Sequence, residues 1–537
     1  MGRYINRGET AFRQYTNGEY VDKTAMIAYI NSTIDTADKL TCVSRPRRFG
    51  KSMAAQMLYA YYDKSCDSRE LFAKYKIAED ASFGKHLNKY PAIYIDVTDF
   101  TTKYSGRDDL VEMMQQRIVK DIAKAYPDIV PEEGCDLMDY LVDIFMETGE
   151  KFMMVIDEWD AICREAANKP RLMDSYVNLL RRLFKGGDTA RIFACVYMTG
   201  ILPIKRYGTQ SALNDFREYS MTEPKALAEY FGFTSEEVQA LCTKYHMDFD
   251  EVKGWYDGYH FSVMRPVGVP DPQQVEVSMF NPNSVMQAMS CHICDNYWVK
   301  TSSFESLQRY IDMDFDGLQR SVLAALGGAD VPVDTGTFEN DLHEVSSADD
   351  VLTLLAHLGY LAYEEDSQTV RIPNEEVRLE FASTIRVGGN PVLAQMVADA
   401  DRLLRSTIEG DESAVAAGVA RAHDSRLGPD WYNDEQALRF AVKLAYLTAV
   451  DKFAEIEELP SGHGYADIVY LPKRYARIPA IVVELKWSKP VQSTLDQIRA
   501  RNYPRVLAAY GGPLLLVGVT YDAKTKVHTC SIERMRV

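Results

Sequence analysis

Apolar residues in the first third of the chain come in short, nearly unbroken runs: 40–44 (LTCVS), 92–97 (AIYIDV), 152–157 (FMMVID) and 192–198 (IFACVYM). Helical patterns such as 52–62 and 108–125 lie between them. Continuous apolar strands separated by helices predict a parallel sheet covered on both faces. From 222 to 430 the pattern becomes mostly helical. Thr234-Ser-Glu-Glu237 has the form of a capping box. Residues 347–357 predict a helix, and 359–363 with 369–372 a hairpin, together a winged-helix-like element. The Pro-, Gly- and Asp-rich stretch 264–273 predicts an exposed loop. From 431 onward the order changes again. A helix capped by Asn433 or Asp434 and running to about Thr448 precedes strand-like 452–458, 465–471 and 480–486, a helix over 493–501 and a strand over 514–520. That order predicts an α/β sandwich.

Composition narrows the class. An apolar fraction of 46% and a charged fraction of 26% over 537 residues are those of a soluble protein of two to four domains. No apolar run reaches the roughly 18 residues needed to cross a bilayer. The start, MGRYINRGET, has neither the apolar stretch of a signal peptide nor a Ser or Thr at position 6 for a myristoyl anchor. No membrane partner is expected. The nine cysteines are dispersed, as in a reducing compartment, so a cytoplasmic location is expected. Cys291-His-Ile-Cys294 lacks two further zinc ligands at matching spacing.

Net charge is −18, which opposes a protein coated in nucleic acid. The charge is unevenly spread, however. Residues 471–537 hold twelve Lys/Arg against four acids, or +8, leaving −26 on the other 470 residues. A basic C-terminal end can meet a phosphate backbone locally.

The chemistry begins at Arg45-Pro-Arg-Arg48-Phe-Gly50-Lys51-Ser52, between a predicted strand and a predicted helix. Phosphate binding needs backbone N–H groups at a helix N-terminus, a Lys on the β/γ oxygens and a hydroxyl on Mg²⁺. Gly50, Lys51 and Ser52 supply the second half of that pattern, and Arg45 stands where the first glycine would be. Met153-Met-Val-Ile-Asp157-Glu158 ends an apolar strand in an acidic pair, as a Walker B strand does. Asp157 is expected to hold Mg²⁺ and Glu158 to orient or deprotonate the attacking water. Thr199, closing the next strand, is placed to sense the γ-phosphate.

These motifs, with Tyr20-Val-Asp-Lys-Thr24, Thr199-Gly200, Leu213-Asn214, Tyr230-Phe-Gly-Phe-Thr234, Trp255-Tyr-Asp-Gly-Tyr259, Phe280-Asn-Pro282 and Ile372-Pro-Asn-Glu-Glu-Val-Arg378, resemble the bacterial AAA-ATPase-like family in kind and order. The resemblance implies ATP as ligand and makes the Arg-Pro-Arg-Arg loop usual rather than decayed, with Arg45 and Arg48 beside the nucleotide. Phe280-Asn-Pro-Asn283 and Trp159 depart from the family's usual Tyr-Asn-Pro-Trp and Tyr. A PD-(D/E)XK nuclease-like domain often follows in that family.

Such a domain is legible here. Asp467 falls on one predicted strand and Glu484-Leu-Lys486 on the next. Residues i and i+2 of a strand share a face, so Glu484 and Lys486 point together. Asp467 and Glu484 would hold Mg²⁺ or Mn²⁺, which activates water, and Lys486 would assist the attack. Resemblance to the PD-(D/E)XK superfamily adds Glu435 on the preceding helix, with Glu457 or Glu458 as alternatives, and Gln497 and Tyr503 downstream.

The expected fold is therefore α/β. It comprises a P-loop domain with a RecA/AAA-like sheet (1–221), a mainly helical lid or linker (222–430) and a restriction-endonuclease-like sandwich (431–537). The expected function is ATP-regulated, Mg²⁺-dependent cleavage of DNA or other nucleic acid at the C-terminal domain, with homo-oligomerisation open. The alternatives are an ATPase switch that binds nucleic acid without cutting it, and a non-catalytic scaffold.

Overall fold

The structure is a computed structural model that describes residues 2–165, 169–204, 213–264, 274–298, 317–336, 338, 347–387, 391–424, 435–461, 464–473, 478–487 and 512–536. The chain divides into two compact units. The first comprises Met1–Lys253, Asp257–Cys294 and Asp334–Gln368; the second comprises Gly254–Tyr256, Asp295–Val333 and Thr369–Val537.

The first unit is built on five strands: β1 (Leu40–Ser44), β2 (Ala92–Asp96), β3 (Phe152–Asp157), β4 (Phe193–Gly200) and β5 (Arg217–Tyr219). All pair in parallel, in the order β2-β3-β4-β1-β5. Their unbroken apolar character follows from burial on both faces. Cys42, Ile95, Met154, Ile156 and Met198 enter one apolar layer. Val43, Tyr94, Met153, Val155 and Tyr197 enter the other. Because the strands are parallel, the C-terminal ends of β1 and β3 open on the same edge with β4 between them, and such an edge is where α/β sheets bind ligands.

The first unit continues beyond this sheet. The capping box forms as read: Thr234 Oγ1 accepts the Glu237 N–H at 3.4 Å and a Glu237 carboxylate oxygen accepts the Thr234 N–H at 2.9 Å, at the start of the helix Ser235–Tyr245. The stretch expected to be mostly helical also contains a sheet. Strands β6 (Phe233–Thr234), β7 (Tyr259–Met264) and β8 (Gln274–Phe280) pair antiparallel in the order β6-β8-β7. Tyr259, Phe261 and Val263 are buried at period two, a strand signature. The expected loop at 264–273 lies almost wholly outside the described residues. Helix Ala348–Leu358 and strand β10 (Ala362–Glu364) appear in the first unit where a helix and the first arm of a hairpin were read. Strand β11 (Thr369–Arg371), where the second arm was read, belongs to the second unit, as does β9 (Val331–Pro332), with which it pairs antiparallel.

The second unit carries β12 (Phe453–Ser461), β13 (Gly464–Pro472), β14 (Ala480–Trp487), β15 (Pro513–Asp522) and β16 (Val527–Arg536). They form one mixed sheet in that order, with β14 and β15 parallel and the other pairs antiparallel. Helices Glu412–Asp424 and Glu435–Ala445 pack on it. Ile468, Tyr470, Ile481, Val483, Leu485, Val517 and Val519 point into their shared core. The edge strand β16 went unread because its polar residues, HTCSIERMR, alternate with few apolar ones. The helix expected over 493–501 lies outside the described residues.

Candidate nucleotide site

The loop after β1 ends in Gly50, whose φ of 87° is a left-handed conformation that glycine adopts without a Cβ penalty. The turn releases the chain into the helix Lys51–Tyr62, whose first N–H groups and positive dipole end face the open edge of the sheet. Lys51 is the first helical residue and is buried. Its Nζ donates to the Pro46 carbonyl at 3.0 Å and lies 3.5 Å from Glu158 Oε1. Burial lowers the Lys51 pKa, and Glu158, Asp157 and Asp160 oppose that fall.

At the end of β3, Asp157 is held from two sides. Tyr94 donates its hydroxyl to Asp157 Oδ2 at 2.8 Å, and the Ser52 side chain also hydrogen-bonds to the carboxylate. Burial pushes the Asp157 pKa up to about 6. Ser52 and Asp157 thus converge as hard oxygen donors beside the Lys51 ammonium. That donor set suits Mg²⁺.

Glu158 has a φ of 51°, uncommon for a residue with a Cβ, and its carboxylate turns toward cations. Arg164 Nη2 bonds to its Oε2. Burial alone would raise the Glu158 pKa, but Lys51, Arg164 and Arg47 hold it below the usual range. The turn is flush against β4: Trp159 N–H donates to Thr199 O at 2.9 Å. A Cβ on Gly200 would come within 2.7 Å of the Trp159 ring.

A cavity of about 680 Å³ opens here, within the first unit. Arg47, Arg48, Gly50, Lys51, Ser52, Glu158 and Arg164 form its polar wall, and Tyr15, Tyr20, Met57, Tyr230, Phe233 and Met286 contribute an apolar one. Of the residues read as nucleotide-binding, Arg48, Gly50, Lys51 and Ser52 line this cavity. Asp157 lies behind Ser52. Thr199 is buried at the end of β4 and is not part of the lining.

Arg45 also lies away from the cavity. Its fully buried Nη1 donates to the carbonyls of Ser44 at 2.9 Å and of Tyr219 and Ser220 at 2.8 Å each. Its guanidinium lies 5.4 Å from the Phe231 ring centroid. Burial pulls its pKa down to about 9. Here the arginine that replaces the first glycine ties the loop to the end of β5.

Other motifs prove architectural. Lys23 Nζ donates to Glu229 O at 2.7 Å and Glu237 Oε2 at 2.6 Å, pinning the cavity wall to the helix Ser235–Tyr245. Asp22 accepts from the Thr24 N–H at 2.9 Å and the Lys76 N–H at 2.8 Å. Asn281 caps the helix Pro282–Cys291 through the N–H groups of Asn283 and Ser284. Arg164 and Tyr94 escaped the sequence reading. Arg164 follows the acidic pair by six residues, at no motif position, and Tyr94 is one of several apolar strand residues.

In the second unit, Glu484 is fully buried on β14, and Lys486 Nζ lies 4.0 Å from its Oε2. The β13–β14 ladder runs Tyr470–Ile481, Val469–Val482, Ile468–Val483. Asp467 and Glu484 are the next residues along each strand, but the Asp467 side chain lies outside the described residues. Glu435 opens its helix, and its side chain, with those of Glu457 and Glu458, is likewise outside. Gln497 and Tyr503 lie in an undescribed stretch. Among the described residues no group of three or more His, Cys, Asp or Glu is arranged to hold a metal, and no helix is long and apolar enough to cross a membrane.

The strand-level reading missed a buried ion cluster: Arg378 Nη1 donates to Glu455 Oε2 at 2.7 Å, and Lys443 Nζ lies 3.7 Å from Glu455 Oε1.

Comparison with known proteins agrees with the N-terminal geometry. Over 502 residues, 90% of each chain, the protein is 20% identical to a protein of Azotobacter chroococcum mcd 1 described as an uncharacterized protein in the vnfD 5′ region. Residues 10–209 match the family model described as predicted AAA-ATPase, so it is the N-terminal part of the chain that is similar to that family.

Proposed function

We propose that the first unit binds ATP with Mg²⁺ and hydrolyses it. The observation that carries this is Lys51 on the first turn after Gly50, on the wall of a roughly 680 Å³ cavity with Glu158 beside it. Lys51 would leave Glu158 for the phosphates. Ser52 and Asp157 would hold the ion, which when bound screens phosphate charge. Glu158 would orient the attacking water and receive its proton. The apolar wall of tyrosines, Phe233 and methionines suits a flat base. Steady-state ATP hydrolysis by the full chain tests the reading: Lys51→Ala and Glu158→Gln should each lower kcat/KM at least ~100-fold, and equal rates in all three proteins would sink it.

We further propose that the second unit cuts nucleic acid, DNA by preference, with Asp467 and Glu484 as metal ligands and Lys486 assisting. The buried Glu484, with Lys486 4.0 Å away and one residue beyond the Ile468–Val483 pair on the side of Asp467, favours this over an ordinary exposed strand. Cleavage of single- and double-stranded DNA with Mg²⁺ or Mn²⁺ should be lost in Asp467→Ala and Lys486→Ala. If the wild type binds DNA but does not cut it, the switch reading replaces this one.

A further inference from the structure

Asp157 is oriented by a residue outside both nucleotide motifs. Tyr94 lies on β2, next to β3 in the sheet, and its side chain is buried. Its hydroxyl donates to Asp157 Oδ2 at 2.8 Å, and the Glu158 N–H donates to Asp157 Oδ1 at 3.1 Å. Both oxygens are thereby fixed about the otherwise broad terminal torsion of an aspartate. Counting the Ser52 side chain, three donors share roughly four lone-pair sites, which leaves one for a cation or its water. The Tyr94 ring is held in turn. The Arg7 guanidinium lies 4.4 Å from its centroid, and the Tyr59 ring meets it edge to face at 5.8 Å. Arg7 is placed by its backbone: its N–H donates to the Tyr59 hydroxyl at 2.8 Å, and Tyr59 donates to Ala92 O at 3.1 Å. The segment carrying Arg7 also runs along β2. Ile5 bridges Ile93 antiparallel, and the Tyr94 N–H donates to Tyr4 O at 2.8 Å.

We infer that Tyr94 is a positioning residue for the metal ion of the nucleotide site, acting through Asp157, and that Arg7 braces it. The inference rests on the reading of the first unit as a site for ATP with Mg²⁺. Two neighbours would otherwise pull the Asp157 carboxylate off its aim. The Lys51 ammonium attracts it, and Asp96, its partner in the β2–β3 ladder, repels it. The Tyr94 bond opposes both. A partner that orients a metal-binding carboxylate raises metal affinity, and its loss typically costs 10–100-fold. A guanidinium over a tyrosine face is an attractive contact, and here it keeps the ring within reach of Asp157. Neither Tyr94 nor Arg7 lines the cavity, so their effect on a nucleotide passes through the ion.

Isothermal titration of ATP into the full chain, once with Mg²⁺ and once with EDTA, measures what the ion adds to affinity. In the wild type Mg²⁺ should tighten binding. Tyr94→Phe removes the hydroxyl and keeps the ring. It should reduce that gain about tenfold, with affinity in EDTA unchanged within about twofold. Arg7→Leu leaves the hydroxyl in place and should reduce the gain about threefold, again with affinity in EDTA unchanged. Equal losses in both media would mark Tyr94 as merely structural and overturn the inference. A full wild-type gain in Tyr94→Phe would overturn it as well, and a full gain in Arg7→Leu would remove the part given to Arg7. ATP binding by the wild type with no gain from Mg²⁺ would overturn the inference and leave the nucleotide site standing. A wild type that binds ATP in neither medium would instead defeat the nucleotide reading, and the inference with it.

Discussion

Lys51 Nζ and Glu158 Oε1 stand 3.5 Å apart, an ion pair between a buried lysine on the first turn of the phosphate-loop helix and a part-buried glutamate at the end of a strand two places away in the sheet. The pair neutralises two groups that burial would otherwise discharge. It also leaves each where a nucleotide would need it, the ammonium for phosphate and the carboxylate for water.

Asp157 sets a pH dependence of stability with a defined sign. Its folded pKa, pushed up to about 6, lies above the unfolded value near 3.9. The folded state therefore binds the proton more tightly, and stability falls as pH rises from about 4 to 6. Above that window the penalty is on the order of 3 kcal/mol. Asp157→Asn keeps an acceptor for Tyr94 and should stabilise the metal-free chain by about 1–3 kcal/mol at pH 8 and hardly at all at pH 4. Urea unfolding of both proteins at the two pH values checks this; equal destabilisation at both would contradict it.

Arg45 should matter for folding rather than for affinity. Replacing it by Met removes donors from three buried carbonyls, at a cost of about 3 kcal/mol or more. ATP affinity of the folded protein should stay within about threefold, measured at a temperature where the variant is native. Normal stability with lost affinity would return Arg45 to the phosphate site.

Arg378 and Glu455 should show strong coupling in the second unit. Burial raises the Glu455 carboxyl pKa, but Arg378 and Lys443 more than offset this and hold it low. Its contribution is present above the unfolded carboxylate value and is lost as pH falls through the folded one. At pH 7, Arg378→Met should cost about 3–5 kcal/mol, and Arg378→Met with Glu455→Leu should cost less than the single variant. Denaturant unfolding of the two proteins distinguishes this from simple additivity.

Much of this was legible in the sequence because burial on both faces leaves unbroken apolar strands, and β1 to β4 carry that mark. The capping box at Thr234 was equally plain, since two side chains at fixed spacing suffice. The strands β7 and β8 were read as part of a helical region although Tyr259, Phe261 and Val263 alternate correctly; six residues are too few to outweigh long helical neighbours. The site divided along similar lines. Gly50, Lys51, Ser52 and Glu158 could be found by motif, because their chemistry depends on chain spacing. Arg164, Tyr94 and the inward turn of Arg45 depend on which surfaces the fold brings together, and no local pattern records that.

Isothermal titration of MgATP into the full chain and into Lys51→Ala tests the central claim most directly. The wild type should bind with one site per chain, and Lys51→Ala should bind at least about tenfold more weakly, with its apolar core and unfolding transition intact. No MgATP binding by the wild type, or equal affinity in the two proteins, would contradict the assignment of this cavity to a nucleotide.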